Sequence, residues 1–410
     1  MITSPRLPVG RASGWTGALL VGLAFAVGMA GATLPTPLYP VYADRLGFGE
    51  LTVTLVFSAY AVGVTGGLLL LGHWSDQLGR RPVVLAGLGF SLLSAVCFLL
   101  PLALPWLYAG RVLSGVSAGI LTGTATAYVV DLAPASSSGR ASLLAAGVNM
   151  GGLGVGPLLT GVLMVSGPSD TRLTYAVHLV LTVVAAALLL GVAETVTRSR
   201  EPSLRPRRLH VPVGARAVFL RSAIAGFAGF AVLGLFTAVS PAFLADVLGR
   251  DSPVLVGLVV LLLFGSSVVG QAVSTGMGTD RSLPLGCVLL VLGMAAVAWA
   301  LATASLGWLC GGAVVAGVGQ GLSFRAGLAG VTAATPEEQR GAVTSTFFVA
   351  LYVGISFPVI GEGALASAVG LRPAGIAFSV LVGVMAVVAV VLLLRQRNRA
   401  AETTTPAPTG

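Results

Sequence analysis

The sequence predicts an all-α membrane protein of twelve transmembrane helices in two pseudo-symmetric six-helix bundles, on three observations. Of the 410 residues 56% are hydrophobic and only 9% are charged, where a soluble domain carries roughly 25% charged residues. Apolar runs of around 20 residues, the helical length that crosses a hydrocarbon core of about 30 Å, recur along the whole chain. The longest polar break divides these runs six and six.

The expected spans of the first half are 15–34, 51–71, 82–100, 106–130, 142–166 and 174–192. Those of the second half are 217–240, 253–273, 284–303, 307–332, 342–361 and 373–394. The first span follows Arg6 and Arg11 and contains Ala30-Gly31-Ala32, a small-residue pattern found at leader-peptide cleavage sites. Its apolar run exceeds the roughly 7–15 residues of a leader core, and eleven spans follow it, so it is read as the first helix. The division expected is a leading segment 1–14, a bundle 15–192, a linker 193–216 rich in Arg and Pro, a bundle 217–394 and a tail 395–410. The tail ends in AETTTPAPTG, without apolar content, and is expected to be disordered.

All 23 basic residues are arginine. With the N-terminus in the cytoplasm, 17 fall in cytoplasmic segments, four (Arg45, Arg172, Arg250 and Arg372) fall outside, and Arg111 and Arg325 lie within spans. The positive-inside rule therefore places both termini in the cytoplasm, in the inner (plasma) membrane. Arginines between spans are topogenic, so the net charge of +9 does not point to nucleic acid. Cys97, Cys287 and Cys310 all sit in apolar spans, with neither disulfide nor metal spacing.

The halves repeat. Ala43-Asp44-Arg45-Leu46-Gly47 returns as Ala245-Asp246-Val247-Leu248-Gly249, Arg140 returns as Arg340, and Pro157 as Pro358, at offsets of 202, 200 and 201. Equivalent placement in the topology makes this a parallel duplication about an axis along the membrane normal, with a substrate site expected between the halves.

Between spans 2 and 3 stands GHWSDQLGRR, residues 72–81. Gly72 and Gly79 permit a tight turn, Asp76 can meet the free N–H groups of the following helix or a neighbouring helix end, and Arg80 or Arg81 can pair with Asp131 at the end of span 4. Topology alone accounts for the arginines but not for the Asp or the Gly spacing. Span 4 carries Arg111 in RVLSG, and span 5 carries Gly152-x3-Gly156-Pro157-x2-Thr160-Gly161, whose small residues allow close helix crossing and whose proline bends the helix.

These segments resemble the major facilitator superfamily: the loop matches its G-x3-D-[RK]-x-G-R-[RK] signature with Gln77 in place of a base, and the resemblance extends over essentially the whole chain. The resemblance implies that Gly72, Asp76, Gly79, Arg80, Arg81 and Asp131 form a latch that stabilises an outward-open state and releases during the switch. It implies a proton-coupling role for Arg111. The span-5 segment resembles the antiporter signature, with Thr160 and Leu143 where glycines are usual, and implies export in exchange for protons, as in bacterial drug exporters of twelve spans.

An Arg within a span costs roughly 2.5–3.5 kcal/mol at the helix centre on insertion scales. Arg111 can instead snorkel to the nearby surface. Arg325, deeper in its span, has two readings: a cavity contact for an anionic substrate, or a partner for a helix C-terminus. Asn149, Gln320 and Tyr352 near mid-span can serve a substrate or bond between helices. No carboxylate is expected at mid-span; Asp44, Glu50 and Glu362 fall at outer ends, and His178 is read as packing. No phosphate-binding loop, metal cluster or nucleophile arrangement is present, so an enzyme or ATP-driven pump is not supported. The expected partners are the lipid bilayer and a small-molecule substrate, small and amphipathic or apolar, carried by a monomer with no cofactor beyond a proton gradient. Two alternatives are a metabolite importer for a sugar or organic acid, and a non-transporting sensor or scaffold.

Overall fold

The computed structural model describes residues 11–71, 74–167, 171–199 and 209–404, with side chains through Arg395. Among the described residues twelve helices are long and apolar enough to cross a membrane. The first six are α1 Gly14–Thr33, α2 Glu50–Leu70, α3 Arg80–Leu99, α4 Leu104–Leu132, α5 Ser138–Ser166 and α6 Arg172–Leu190. The second six are α7 Arg216–Ala238, α8 Pro253–Met277, α9 Thr279–Thr303, α10 Leu306–Ala333, α11 Arg340–Val369 and α12 Leu371–Thr404. An even number of crossings leaves both chain ends on one face, here the termini side; the opposite face is the far side.

The duplication is visible in the backbone. Gly79 before α3 has φ +102° and Gly278 before α9 has φ +80°, while Gly47 and Gly249, each two or more residues ahead of an even-numbered helix, have φ +66° and +61°. Only glycine takes these angles without strain, so each pair fixes the same turn in the two halves. The same correspondence governs packing. Gly115 and Gly119 of α4 press on the Tyr60 and Val64 carbonyls of α2, and Gly317 and Gly321 of α10 press on the Leu263 and Ser267 carbonyls of α8. Between apolar helices in lipid, such backbone approach supplies the association that the hydrophobic effect cannot.

α1 is the most enclosed span, with 72% of its apolar window buried, against 33% for α6 and 28% for α12. The latter two lie at the periphery and turn Val183, Val184, Val380 and Leu381 outward, as lipid requires.

Two expected boundaries move. α11 continues beyond 361 to Val369 and stops only at Gly370, φ +90°; Ala, Leu and Ser sustain the helix, so Glu362 lies within the span rather than at its outer end. α12 likewise runs past 394 to Thr404. Its Arg, Gln, Ala and Glu residues are helix formers with no proline between Pro373 and Pro406, so the helix occupies much of the segment expected to be a disordered tail.

The α5–α8 seam between the bundles is closed at its far end. A Cβ added at Gly161 would overlap the Pro253 carbonyl; at Gly154 it would lie 3.0 Å from Leu261, and at Gly147, toward the termini side, 3.8 Å from Val268. Replacing Gly321 by Val should overpack α8 against α10 and cost about 1–3 kcal/mol, read as a lowered thermal midpoint of the detergent-purified protein, whereas Gly311→Val, which meets open space, should leave the midpoint unchanged.

Candidate functional site

Helix α1 is broken by its own sequence. Pro35, Pro37 and Pro40 lack the N–H that would continue the helical ladder, so after Thr33 the chain passes through a 3₁₀ turn, Thr36–Leu38, into a short helix, Tyr39–Leu46. The last carbonyls of α1 therefore point into the protein without helical donors. Arg111 supplies one: its Nη1 donates to the Ala32 carbonyl at 2.5 Å, and its Nη2 to the Phe57 carbonyl of α2 at 3.3 Å. Thr160 supplies another, its hydroxyl donating to the Leu34 carbonyl at 2.9 Å.

Arg111 is 2% exposed. Its guanidinium carbon stands 4.7 Å from the Tyr60 ring centroid and 5.4 Å from that of Phe57, where the π faces attract a cation more strongly than in water. Snorkelling is excluded by this burial. The negative end of the α1 dipole and two aromatic faces hold the charge inside the span instead.

The α5 motif lies along α1. A Cβ at Gly152 would stand 2.5 Å from the Ala26 carbonyl oxygen, and one at Gly156 would stand 2.5 Å from Thr33 Oγ1. Thr33 in turn donates to the Leu153 carbonyl at 2.8 Å. Pro157 and Gly161 reach the other bundle, abutting Gly257 and Pro253 of α8. Thr160, which departs from the family pattern, thus has a local reason: it completes a carbonyl that the proline break of α1 leaves free.

Arg111 lines a central cavity between the bundles. Phe57, Tyr60, Phe230, Phe264, Phe324, Phe348 and Tyr352 give it an aromatic wall, and Thr122 and Asn149 give it polar points. Tyr352 meets Tyr60 edge-on across the bundles, centroids 6.3 Å apart, and Phe230 at 5.7 Å. Asn149 Oδ1 and Thr122 Oγ1 are buried without a hydrogen-bond partner, an arrangement that favours a ligand able to donate. The cavity holds about 40 Å³, room for a water but not for an organic molecule.

Two expected cavity residues lie elsewhere. Gln320 is fully buried, and its Oε1 accepts from Ser267 Oγ at 2.5 Å, a bond between α10 and α8. Arg325 is half-buried on the helix face that also carries the exposed Val314 and Ala329, while its neighbour Phe324 lines the cavity. Among the described residues no hydrogen bond or ion pair to Arg325 is found, so the helix C-terminus partner expected for it is not present. His178 bonds to Ser91 at 2.9 Å between α3 and α6, a packing role.

At the termini side, Arg80 bridges two acids, with Nη1 at 2.5 Å from Asp76 and Nε at 3.0 Å from Asp131. Asp76 is thereby engaged with Arg80, and the free N–H groups at the head of α3 go to a residue that sequence reasoning missed: Glu194 accepts from the Arg80 and Arg81 amides at 2.8 and 3.0 Å. Arg81 donates to the Leu190 and Val192 carbonyls, closing the end of α6. Gly79, at positive φ, lets the Glu194 carboxylate approach; a Cβ there would lie 2.7 Å from Oε2. Gly72 lies outside the described residues. Exposed ion pairs are worth about 0–1 kcal/mol each, so this cluster serves to position three helix ends rather than to hold the fold. The signal for Glu194 was available, as it directly follows span 6, but nothing in its spacing marks it as a helix cap.

A family model described as Major Facilitator Superfamily matches residues 20–357. The chain is 29% identical over 241 residues to multidrug resistance protein D of Escherichia coli (strain K12), covering 57% of this chain and 59% of that one. It is 30% identical over 262 residues to tetracycline resistance protein, class C, of Escherichia coli, covering 58% and 61%. The chain thus spans about three fifths of the length of these relatives. Two crystal structures share the fold: a bacterial homolog to the human lysosomal transporter Spinster, inward-facing and unoccupied, with a TM-score of 0.73 at 16% identity over 92% of this chain and 97% of that one, and a POT family transporter in complex with a thioalcohol-conjugated peptide, with a TM-score of 0.71 at 14% identity over 95% and 96%.

Thr160→Val keeps the side-chain volume but leaves the Leu34 carbonyl unpaired, and should cost about 1–3 kcal/mol. Thermal unfolding of the purified protein should show the loss, and Thr160→Ser should recover most of it.

Proposed function

The chain belongs to the Major Facilitator Superfamily, and we propose that it exports small apolar or amphipathic compounds, aromatic ones above all, in exchange for protons by alternating access. The observation that carries this reading is the cavity around Arg111, seven of whose lining side chains are aromatic while few are free polar groups. A sugar site needs many convergent hydrogen-bond partners, because each buried hydroxyl left unpaired costs about 1–3 kcal/mol. An aromatic wall instead accepts flat apolar molecules of varied outline by stacking and dispersion. The drug-resistance names of the two curated relatives and the α5 motif support the same direction.

In this reading the termini side is cytoplasmic, as the arginine distribution requires, and the membrane is the inner (plasma) membrane. The protein works as a monomer whose partners are the bilayer and its substrate, with the proton gradient as the energy source. The far-side closure of the α5–α8 seam corresponds to an inward-facing state. The latch charges Asp76, Arg80 and Asp131, satisfied within the first bundle here, re-form across the bundles when the cytoplasmic side closes.

Everted vesicles containing the protein, given an acid-inside gradient and tetracycline or ethidium, should accumulate the compound and release protons on its addition. Asp76→Asn should lower uptake severalfold at unchanged membrane content. Silence for every aromatic compound, with sugar or organic-acid uptake by intact cells, would reverse the assignment.

A further inference from the structure

Glu362 lies two turns inside the far end of α11 and is 3% exposed, yet among the described residues neither of its carboxylate oxygens has a hydrogen-bond partner. Its place is set by Gly363, where an added Cβ would lie 2.8 Å from Thr54 Cγ2 on α2. That contact sets this part of α11 beside the far-side end of α2, which begins at Glu50. Glu50 opens α2 at that end, and Asp246 lies in the π-helical turn Phe243–Val247 after α7. Glu50 and Asp246 line one far-side cavity of about 210 Å³ together with Tyr39.

The elements around this part of α11 bring no cation to it among the described residues. α7 carries Arg216 and Arg221 at its opposite end, and Arg325 of α10 lies toward the termini side. Arg372 at the head of α12 is turned to the Leu301 and Ala302 carbonyls. Arg111 is spent on α1 and α2. An ionised carboxylate buried without a partner costs more than a fold can supply, and the group stays neutral instead.

We propose that Glu362 is the proton carrier of this transporter, a role that rests on the proton-exchange reading above. It holds a proton while the far-side seam between α2 and α11 is closed, and takes one up from external water, forming the carboxyl O–H bond, when that seam opens. The inward route follows the same seam. Ser58 stands one turn from Thr54 on α2, Ser356 one turn from Tyr352 on α11, and both hydroxyls are buried without partners. In order along α2 and α11 they fall between the level of Glu362 and that of the Tyr60–Tyr352 pair, which lines the central cavity. On release, driven by substrate entering the cavity, the carboxyl O–H bond breaks, the proton passes to water on the cavity side, and the carboxylate left behind gains water as the seam opens.

The test uses the full chain in lipid vesicles. In infrared spectra near neutral pH, the wild type should show the carbonyl band of a protonated carboxylic acid that Glu362→Gln lacks. With tetracycline and ethidium as probes, Glu362→Gln should lose substrate-induced proton release by about tenfold or more while substrate–substrate counterflow, which moves no net proton, stays within about twofold. Glu362→Asp, which keeps a carboxyl, should retain proton release with a shifted pH profile, and decides the matter where the Gln variant does not fold. Proton release by Glu362→Gln at the wild-type level overturns the assignment and leaves proton exchange standing. Wild-type transport without proton release, or driven by a sodium gradient, overturns both.

Discussion

Arg111 is a permanent charge inside the hydrocarbon zone, and the arrangement of the first bundle follows from how that charge is satisfied. Water is not available there, so the donors must meet acceptors of the protein. The prolines at 35, 37 and 40 create those acceptors by ending α1 early, and the tie from Arg111 to the Ala32 carbonyl joins α4 to α1 at the wall of the central cavity. The tie to Phe57 adds α2, and Thr160 adds α5. Four helices thus converge on the break in α1. The break is also where the cavity has its polar edge, so one constraint sets both the packing and the shape of the site.

Glu362 is the counter-example within the same protein. Arg111 has two carbonyls and two aromatic faces; Glu362 has, among the described residues, no donor at either carboxylate oxygen. The difference is the one expected between a charge that stays fixed and a group that changes its protonation with the state of the seam. The seam itself is built for two positions. Glycines at the far ends of the α5–α8 and α2–α11 seams, Gly161 on the Pro253 backbone and Gly363 on the Thr54 side chain, allow close approach, and close packing of that kind is either made or broken rather than stretched. On the proposal above, a proton held more tightly in the closed arrangement biases the equilibrium toward it.

The spans and the duplication were legible because lipid leaves few choices. A crossing helix needs a long apolar run, and a repeated turn needs its glycine, so hydropathy and the offset near 201 carried both. The pairing of an Arg of the loop with Asp131 was also readable, since both sit at helix ends on one side. Side-chain direction was not. Arg325 follows Phe324 in the same span, and one step of 100° around the helix turns it from the cavity; Gln320, one turn before Phe324, is taken up by Ser267 instead. Glu362 was placed at a helix end because apolarity weakens after residue 361, while helix propensity continues through Ala, Leu and Ser to Gly370. Glu194 and Thr160 act on free amides and carbonyls of other segments, and partners of that kind leave no mark in local spacing.

The central claim, that proton occupancy of a buried carboxyl and closure of the far-side seam are one equilibrium, is tested most directly by distance. Spin labels on Asp44 and Asp251 report the far side, and labels on Arg140 and Arg340 report the termini side, in a chain whose Cys97, Cys287 and Cys310 are replaced. The closed seam binds the proton, so raising the pH should lengthen the far-side distance and shorten the termini-side one, and Glu362→Gln should remove the response. Distances that ignore pH in the wild type, or that respond equally in Glu362→Gln, would contradict the account.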